Sequence, residues 1–174
     1  MNKAVFLDRD GVINHDFGYV FKPKDFVLLG GVIEAVRAIK KEGFLCLVVT
    51  NQAGIARGLY SEEDYHSLNR YMLDIFLSND LTIDGVYYCP HHPDYTGTCM
   101  CRKPSPGMLF EAAKDFDISI SESYLLGDKT SDVYAGIAAG ITKSFKIGDS
   151  MPGVRSFDDL FAFSSWLVET RNDA

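Results

Sequence analysis

Ala4-Val5-Phe6-Leu7-Asp8-Arg9-Asp10-Gly11 lies almost at the start of the chain, a short apolar run that ends in two carboxylates and a glycine. A run this brief is too short for a core helix and reads as a buried strand, with the acidic residues marking where it leaves the core. The same arrangement recurs along the sequence. The unbroken apolar run Phe44–Val49 leads into Thr50-Asn51-Gln52, Val86–Tyr88 leads into a cysteine-rich loop ending in Arg102-Lys103, and Tyr124–Leu126 leads into Gly127-Asp128-Lys129.

Helical patterns separate these runs. Val32–Lys41 carries Val32, Ile33, Val36 and Ile39 on one face, with Gly43 as its stop. Ser61 with Asp64 three positions on reads as a capping box before Tyr65, Leu68, Met72, Ile75 and Phe76. Ser105-Pro106 reads as N-cap and N1 of a helix carrying Met108, Leu109, Ala112, Ala113 and Phe116. A short helix over Asp132–Ala139 ends at Gly140, Ser144–Ile147 is expected to be the last strand, and Ser156 is expected to cap a tail helix. Strands alternating with helices predict an α/β fold, a doubly wound parallel sheet covered on both faces. Ligands of such sheets sit outside the carboxyl ends of the strands, where the polar residues above fall.

The 174 residues suit one domain spanning 1–174. No apolar run approaches the roughly 20 residues of a membrane span, and the opening Met-Asn-Lys followed by a strand does not read as a signal peptide. A cytoplasmic monomer is expected. The net charge of −7 argues against a nucleic-acid binder. An anionic ligand must then be met by a few converging cations.

Those cations sit beside suitable partners. The strand ends together offer the carboxylates Asp8, Asp10 and Asp128, the Thr50 hydroxyl, the amides of Asn51 and Gln52, and the cations Arg102, Lys103 and Lys129. Magnesium takes carboxylate oxygens. A phosphoryl group takes cations and neutral donors around its oxygens, and a carboxylate can serve as nucleophile. Each piece alone is an ordinary turn or loop motif; their order, each at a predicted strand end, points to phosphoryl transfer.

Cys46, inside an apolar run, reads as a small core residue. Cys89-x-His91 followed after seven residues by Cys99-x-Cys101 offers four ligands, a closed tetrahedral set for structural zinc in a loop spanning 89–103. His92 competes with His91 by spacing, and three free thiols on a loop is the alternative.

Asp8-x-Asp10-Gly11, Thr50, Lys103 and Gly127-Asp128 with Asp132 resemble the four motifs of the haloacid dehalogenase superfamily of phosphatases, from Val5 to about Gly140. Within it, Phe6–Asn14, Gly18–Val20, Thr50–Gly58, Tyr87–Pro93 and Cys101–Met108 resemble the heptose bisphosphate phosphatases. The resemblance implies a Rossmannoid fold without a large cap domain, a phosphosugar substrate, and catalysis through an aspartyl-phosphate. It implies Asp8 as nucleophile, Asp10 as general acid and base, and Thr50 and Lys103 as phosphoryl ligands. Magnesium would be held by Asp8, the Asp10 carbonyl and Asp128. Asp16, Phe17, Gly18, Tyr19, Asn51, Gln52, Ala53, Arg102 and Lys129 become substrate contacts. For zinc the family pattern selects Cys89, His91, Cys99 and Cys101. Asp132 is left between a metal-supporting acceptor and a helix N-terminal carboxylate, and Arg57 between a second substrate phosphate and solvent. The histidinol-phosphate phosphatases share this plan but usually lack the Gly18–Val20 and Gly54–Gly58 segments. A non-catalytic zinc-bearing interaction module is a third reading, disfavoured by the intact Asp8, Asp10, Lys103 and Asp128.

Overall fold

In the computed structural model, which describes residues 1–172, strand β1 (Ala4–Leu7) sits near the centre of a six-stranded sheet. The chain continues through α1 (Val32–Lys41), β2 (Leu45–Asn51), α2 (Ala53–Ala56), α3 (Glu62–Leu77), β3 (Gly85–Cys89), α4 (Pro93–Thr96) and α5 (Gly107–Asp115). It ends with β4 (Tyr124–Gly127), α6 (Thr130–Ala139), β5 (Lys143–Ile147), β6 (Ser156–Phe157) and α7 (Leu160–Asn172). Every pairing is parallel, in the order β3-β2-β1-β4-β5-β6. From β1 the chain winds outward to β3, then returns to the other side of β1 for β4. The order therefore reverses between β1 and β4, and that switch point is where a ligand crevice opens in such sheets.

Alternation along β1 shows why both faces are covered. Val5 and Leu7 join a core with residues of α1, α3 and α7, while Ala4 and Phe6 join a second core with residues of α5 and α6. A strand buried on both sides must be apolar throughout, which is the pattern in the sequence. The segment from Gly11 to Gly31 forms turns and one short 3₁₀ turn (Pro23–Asp25), so no cap domain stands over the strand ends there.

Several boundaries differ from the sequence reading for identifiable reasons. Phe44 belongs to the exit of α1: its N–H reaches Ile39 O (3.3 Å) and the Gly43 N–H reaches Lys40 O (3.0 Å), a Schellman closure around Gly43 at φ +80°. The helix expected to begin at Ser105-Pro106 begins at Gly107, with no side-chain cap. Gly107 packs so closely on the cysteine loop that a Cβ there would lie 2.3 Å from Met100 O, and its N–H already bonds that oxygen (2.9 Å). The tail corrects two expectations. Ser144–Ile147 is not the last strand, because Ser156–Phe157 pairs beside it as β6. Ser156 therefore does not cap the tail helix; Asp159 does, accepting the Ala162 N–H at 2.8 Å. The capping box of α3 forms in full between Ser61 and Asp64.

Of the tail aromatics, Phe163 is core and Trp166 packs half-buried against it, while Phe161 is exposed. Phe163 is fully buried and packs on Tyr124, Phe145, Phe157 and Trp166, with centroids 5.5–6.2 Å apart. Phe163→Ala is expected to cost about 3–5 kcal/mol of stability. The exposed Phe110→Ala should change it by under about 0.5 kcal/mol. Equilibrium urea unfolding measures both.

Candidate active site

At the switch point β1 delivers Asp8 and β4 delivers Asp128, and α6 begins immediately after β4 with Asp132 in its first turn. One ligand oxygen from each of these three carboxylates lies within 4.8 Å of the others. Lys103 enters this group from the segment after the cysteine loop. Its ammonium, buried with the rest of the side chain, lies 2.8 Å from Asp8 Oδ1, 2.7 Å from Asp132 Oδ1 and 2.6 Å from Val49 O. Burial alone would lower the Lys103 pKa, but Asp132 and Asp8 hold it above the ordinary lysine range. Burial likewise pushes Asp8 above the usual carboxylate range; Lys103 opposes that and Asp132 reinforces it. Asp128 is raised to about 7, first by burial and then by Asp8.

Three clustered carboxylates with one lysine between them leave excess negative charge. Asp128 Oδ1 is buried and has no hydrogen-bond partner among the described residues. This donor set suits a hard divalent cation, whose charge would reverse the upward pressure on the carboxylates. Gly11 closes the position from the far side. It has φ +83°, and a Cβ there would lie 2.3 Å from Asp128 Oδ2, so only glycine leaves room for that carboxylate. Gly127 does the same for Asp132, whose side chain would lie 2.1 Å from an added Cβ.

Asp10 is held differently. Its carboxylate accepts from Arg9 Nη2 (3.0 Å to each oxygen), Asn14 Nδ2 (3.0 Å) and Gln52 Nε2 (3.2 Å). Arg9 is itself buried and also donates to Val20 O (2.8 Å), tying Asp10 to the Gly18–Val20 segment. Gln52 donates to Thr50 Oγ1 (2.8 Å) and accepts from the Tyr60 hydroxyl (2.5 Å). The Asn51 amide likewise turns inward, bonding the backbone N–H and C=O of Lys103 at 3.0 Å each.

A cleft of about 540 Å³, a size suited to a small metabolite, is lined by Asp10 and Lys103, while Asp8, Thr50, Asp128 and Asp132 are not among its lining residues. Asp10, Asp16, Gly18, Tyr19, Asn51, Gln52, Ala53, Arg102, Lys103 and Lys129 line it. Phe17 does not; it is 65% exposed and stacks on His15 at the surface. Lys129 Nζ lies 3.3 Å from Asp16 Oδ2 across the opening. Tyr60, Pro104 and Ser131 also line the cleft and were missed from sequence. So were Arg9 and Asn14 as partners of Asp10. The signal for Arg9 lay in its place between two carboxylates at a strand end, where a residue facing away from the ligand must enter the protein. Of the two roles left open for Asp132, the structure gives the helix N-terminal one, its Oδ2 accepting the Lys129 N–H (3.0 Å) at the start of α6, and it adds a third, the ion pair with Lys103.

Behind the cleft, Cys89, His91, Cys99 and Cys101 converge. Their Sγ and Nδ1 atoms are separated by 3.0–3.7 Å, close to the roughly 3.5–3.8 Å edges of a tetrahedron with zinc-like bond lengths. The four can hold such an ion. Burial raises the Cys89 thiol above its ordinary range; Cys99, despite burial, is held at about 7 by the Arg102 N–H and neighbouring hydrogen bonds. His92 points elsewhere, capping α4 by accepting the Asp94 N–H. Arg102 donates to His91 O (3.1 Å), so the cysteine loop sets where this cleft cation stands.

Comparison with known proteins agrees with this geometry. The HAD-hydrolase-like family model matches residues 100–145. The chain is 49% identical over 153 residues to the D-glycero-alpha-D-manno-heptose-1,7-bisphosphate 7-phosphatase of Burkholderia mallei, covering 85% of this chain and 81% of that one. It is 46% identical over 175 residues to the D-glycero-beta-D-manno-heptose-1,7-bisphosphate 7-phosphatase of Yersinia pestis, covering 98% and 92%. Its structure resembles the D,D-heptose 1,7-bisphosphate phosphatase of B. bronchiseptica, crystallised with magnesium and phosphate. There the TM-score is 0.87 at 28% identity, covering 97% of this chain and 99% of that one.

The buried Lys103 pairings generate a stability prediction. Lys103→Met leaves two buried carboxylates without their cation, and in chelator the loss should be about 3–5 kcal/mol. Excess magnesium should narrow the gap to wild type, because the variant has more uncompensated negative charge for the cation to meet. Denaturant unfolding with EDTA and with magnesium measures both effects.

Proposed function

Because the chain belongs to the D-glycero-D-manno-heptose-1,7-bisphosphate 7-phosphatases, haloacid dehalogenase-like hydrolases, we propose that it removes the 7-phosphate of that sugar bisphosphate and leaves the 1-phosphate in place. The observation that carries the reading is the meeting, at the β1–β4 switch point, of the buried Asp8–Lys103–Asp132 group with an open, cation-lined cleft. Such a bisphosphate is a substrate of nucleotide-heptose synthesis.

The residues divide the reaction between them. An Asp8 oxygen attacks phosphorus, and the bond from phosphorus to the sugar O7 breaks in line with it. Asp10 gives its proton to that leaving oxygen, then takes a proton from the water that attacks the aspartyl-phosphate, and Asp8 is released with inorganic phosphate. Arg9, Asn14 and Gln52 hold the Asp10 carboxylate in place for both transfers. Lys103 and the Thr50 hydroxyl bind the transferring phosphoryl oxygens, and the Asp132 contact keeps Lys103 aimed at them. Asp8, the Asp10 carbonyl and Asp128 would hold magnesium, which would supply compensating positive charge for the phosphate. Arg102 and Lys129, both lining the cleft, meet the sugar and its second phosphate. A 7-phosphate on a primary carbon reaches the floor of an uncapped cleft with less crowding than the 1-phosphate.

Cys89, His91, Cys99 and Cys101 would hold structural zinc, which would fix the loop that ends in Arg102-Lys103, so metal occupancy there would bear on catalysis through position. Of the other readings, the histidinol-phosphate alternative has no observation in its favour, and the relatives point to the heptose substrate.

A rate comparison tests the substrate. Heptose 1,7-bisphosphate should exceed heptose 7-phosphate and histidinol phosphate by roughly ten- to a hundredfold in kcat/KM, the scale of one charge-assisted contact to the second phosphate. Preference for histidinol phosphate would overturn the assignment. Elemental analysis should find about one zinc per chain. Cys99→Ser should lose it and lower kcat/KM while the sheet stays folded by circular dichroism; full activity without zinc would refute the positional role.

A further inference from the structure

Arg57 lies in the Gly54–Gly58 segment but has no part in the chemistry above. It follows α2, where its N–H bonds Ala53 O (3.1 Å), and its side chain is exposed and outside the cleft lining. The guanidinium has two aromatic neighbours. Its Cζ lies 5.9 Å from the Tyr19 ring centroid and 5.5 Å from that of Tyr95, and its Nη2 lies 3.3 Å from His92 Nε2.

These neighbours belong to separate parts of the chain. Tyr19 is in the loop that walls one side of the cleft, with φ +49° after Gly18 at φ +78°, a left-handed pair that tertiary contacts must hold. Tyr95 and His92 belong to the cysteine loop, which also carries Arg102 into the cleft lining. The two rings remain 46% and 58% exposed, so burial does little to fix them. A guanidinium is flat and attracted to ring faces, so one arginine can engage two aromatic residues at once.

We infer that Arg57 is a positioning residue of the cleft mouth: its guanidinium, engaged by the Tyr19 and Tyr95 rings, holds together the two loops between which the distal half of the substrate lies. The inference rests on the bisphosphate reading above. Asp8, Lys103, Thr50 and Asp10 are held by hydrogen bonds and ion pairs that do not involve Arg57. A small monoester meets mainly those groups, whereas a sugar bisphosphate also spans the mouth. Without a cap domain, order at the mouth must come from contacts between loops. If they are loose, each binding event bears the entropy of ordering them, which raises KM before it lowers kcat.

The test is steady-state kinetics of the magnesium- and zinc-loaded enzyme on heptose 1,7-bisphosphate and on p-nitrophenyl phosphate. Arg57→Ala should lower kcat/KM for the bisphosphate by about five- to thirtyfold, mostly through KM, the loss expected from two exposed cation–π contacts. The loss on the aryl phosphate should be several times smaller. Arg57→Lys should restore part of the KM. Combining Arg57→Ala with Tyr95→Leu should lose less than the sum of the two, because both remove the same contact. Equal losses on both substrates, a loss confined to kcat, or full additivity would overturn the inference. Should wild type favour the bisphosphate strongly and Arg57→Ala keep that preference, the inference fails and the substrate assignment stands; should wild type show no such preference, both fail.

Discussion

The ammonium of Lys103, buried between Asp8 and Asp132, is the interaction on which the rest of the site depends. A cation taken out of water costs several kcal/mol unless its partners stand in good geometry. Here those partners come from the end of β1, the start of α6 and the carbonyl of Val49 on β2. The central strands and α6 must therefore be in register before the lysine can be accommodated. Two glycines admit the carboxylates, Gly11 beside Asp128 and Gly127 beside Asp132. The parallel sheet fixes strand ends to within a residue, and the buried charges hold the side chains more tightly than loop contacts could.

The same lysine explains why the cysteine loop lies next to a phosphatase site. Lys103 and Arg102 directly follow the last cysteine of the cluster. Asn51 grips the Lys103 backbone from β2 with two hydrogen bonds, and Arg102 reaches back to the carbonyl of His91. A tetrahedral centre there can orient one cation into the protein and another over the cleft. The role resembles that of a short, stiff secondary-structure element, achieved over a stretch whose sequence forms only the single-turn helix α4.

Much of this was legible in the sequence because burial on both faces of a parallel sheet leaves a strong mark. Ala4–Leu7 and Phe44–Val49 are apolar without interruption, and their polar successors mark the site. The cysteine spacing was equally plain, since few other patterns place four ligands so close. Less legible were features set by contacts distant in sequence. Nothing local shows that Ser156 pairs with the edge of β5, or that Gly107 starts its helix late because it packs on Met100 O. The inward use of Asn51 and Gln52 was hidden for a related reason. Both amides line the cleft as expected, but their bonds to Lys103, Asp10, Thr50 and Tyr60 join residues that the local sequence does not bring together. Phe17 was assigned to the cleft by its neighbours in sequence, but the left-handed turn at Gly18 and Tyr19 leaves it outside.

The proposed mechanism requires that Asp8 carry the phosphoryl group. The direct measurement is acid quench of the enzyme during turnover of heptose 1,7-bisphosphate, followed by tryptic digestion and mass spectrometry. Cleavage after Lys3 and Arg9 releases Ala4–Arg9, a peptide that contains Asp8 but not Asp10. A phosphoryl adduct is expected on that peptide, absent from Asp8→Asn. An adduct on the peptide beginning at Asp10, or steady turnover with no adduct trapped at any quench time, would contradict the mechanism.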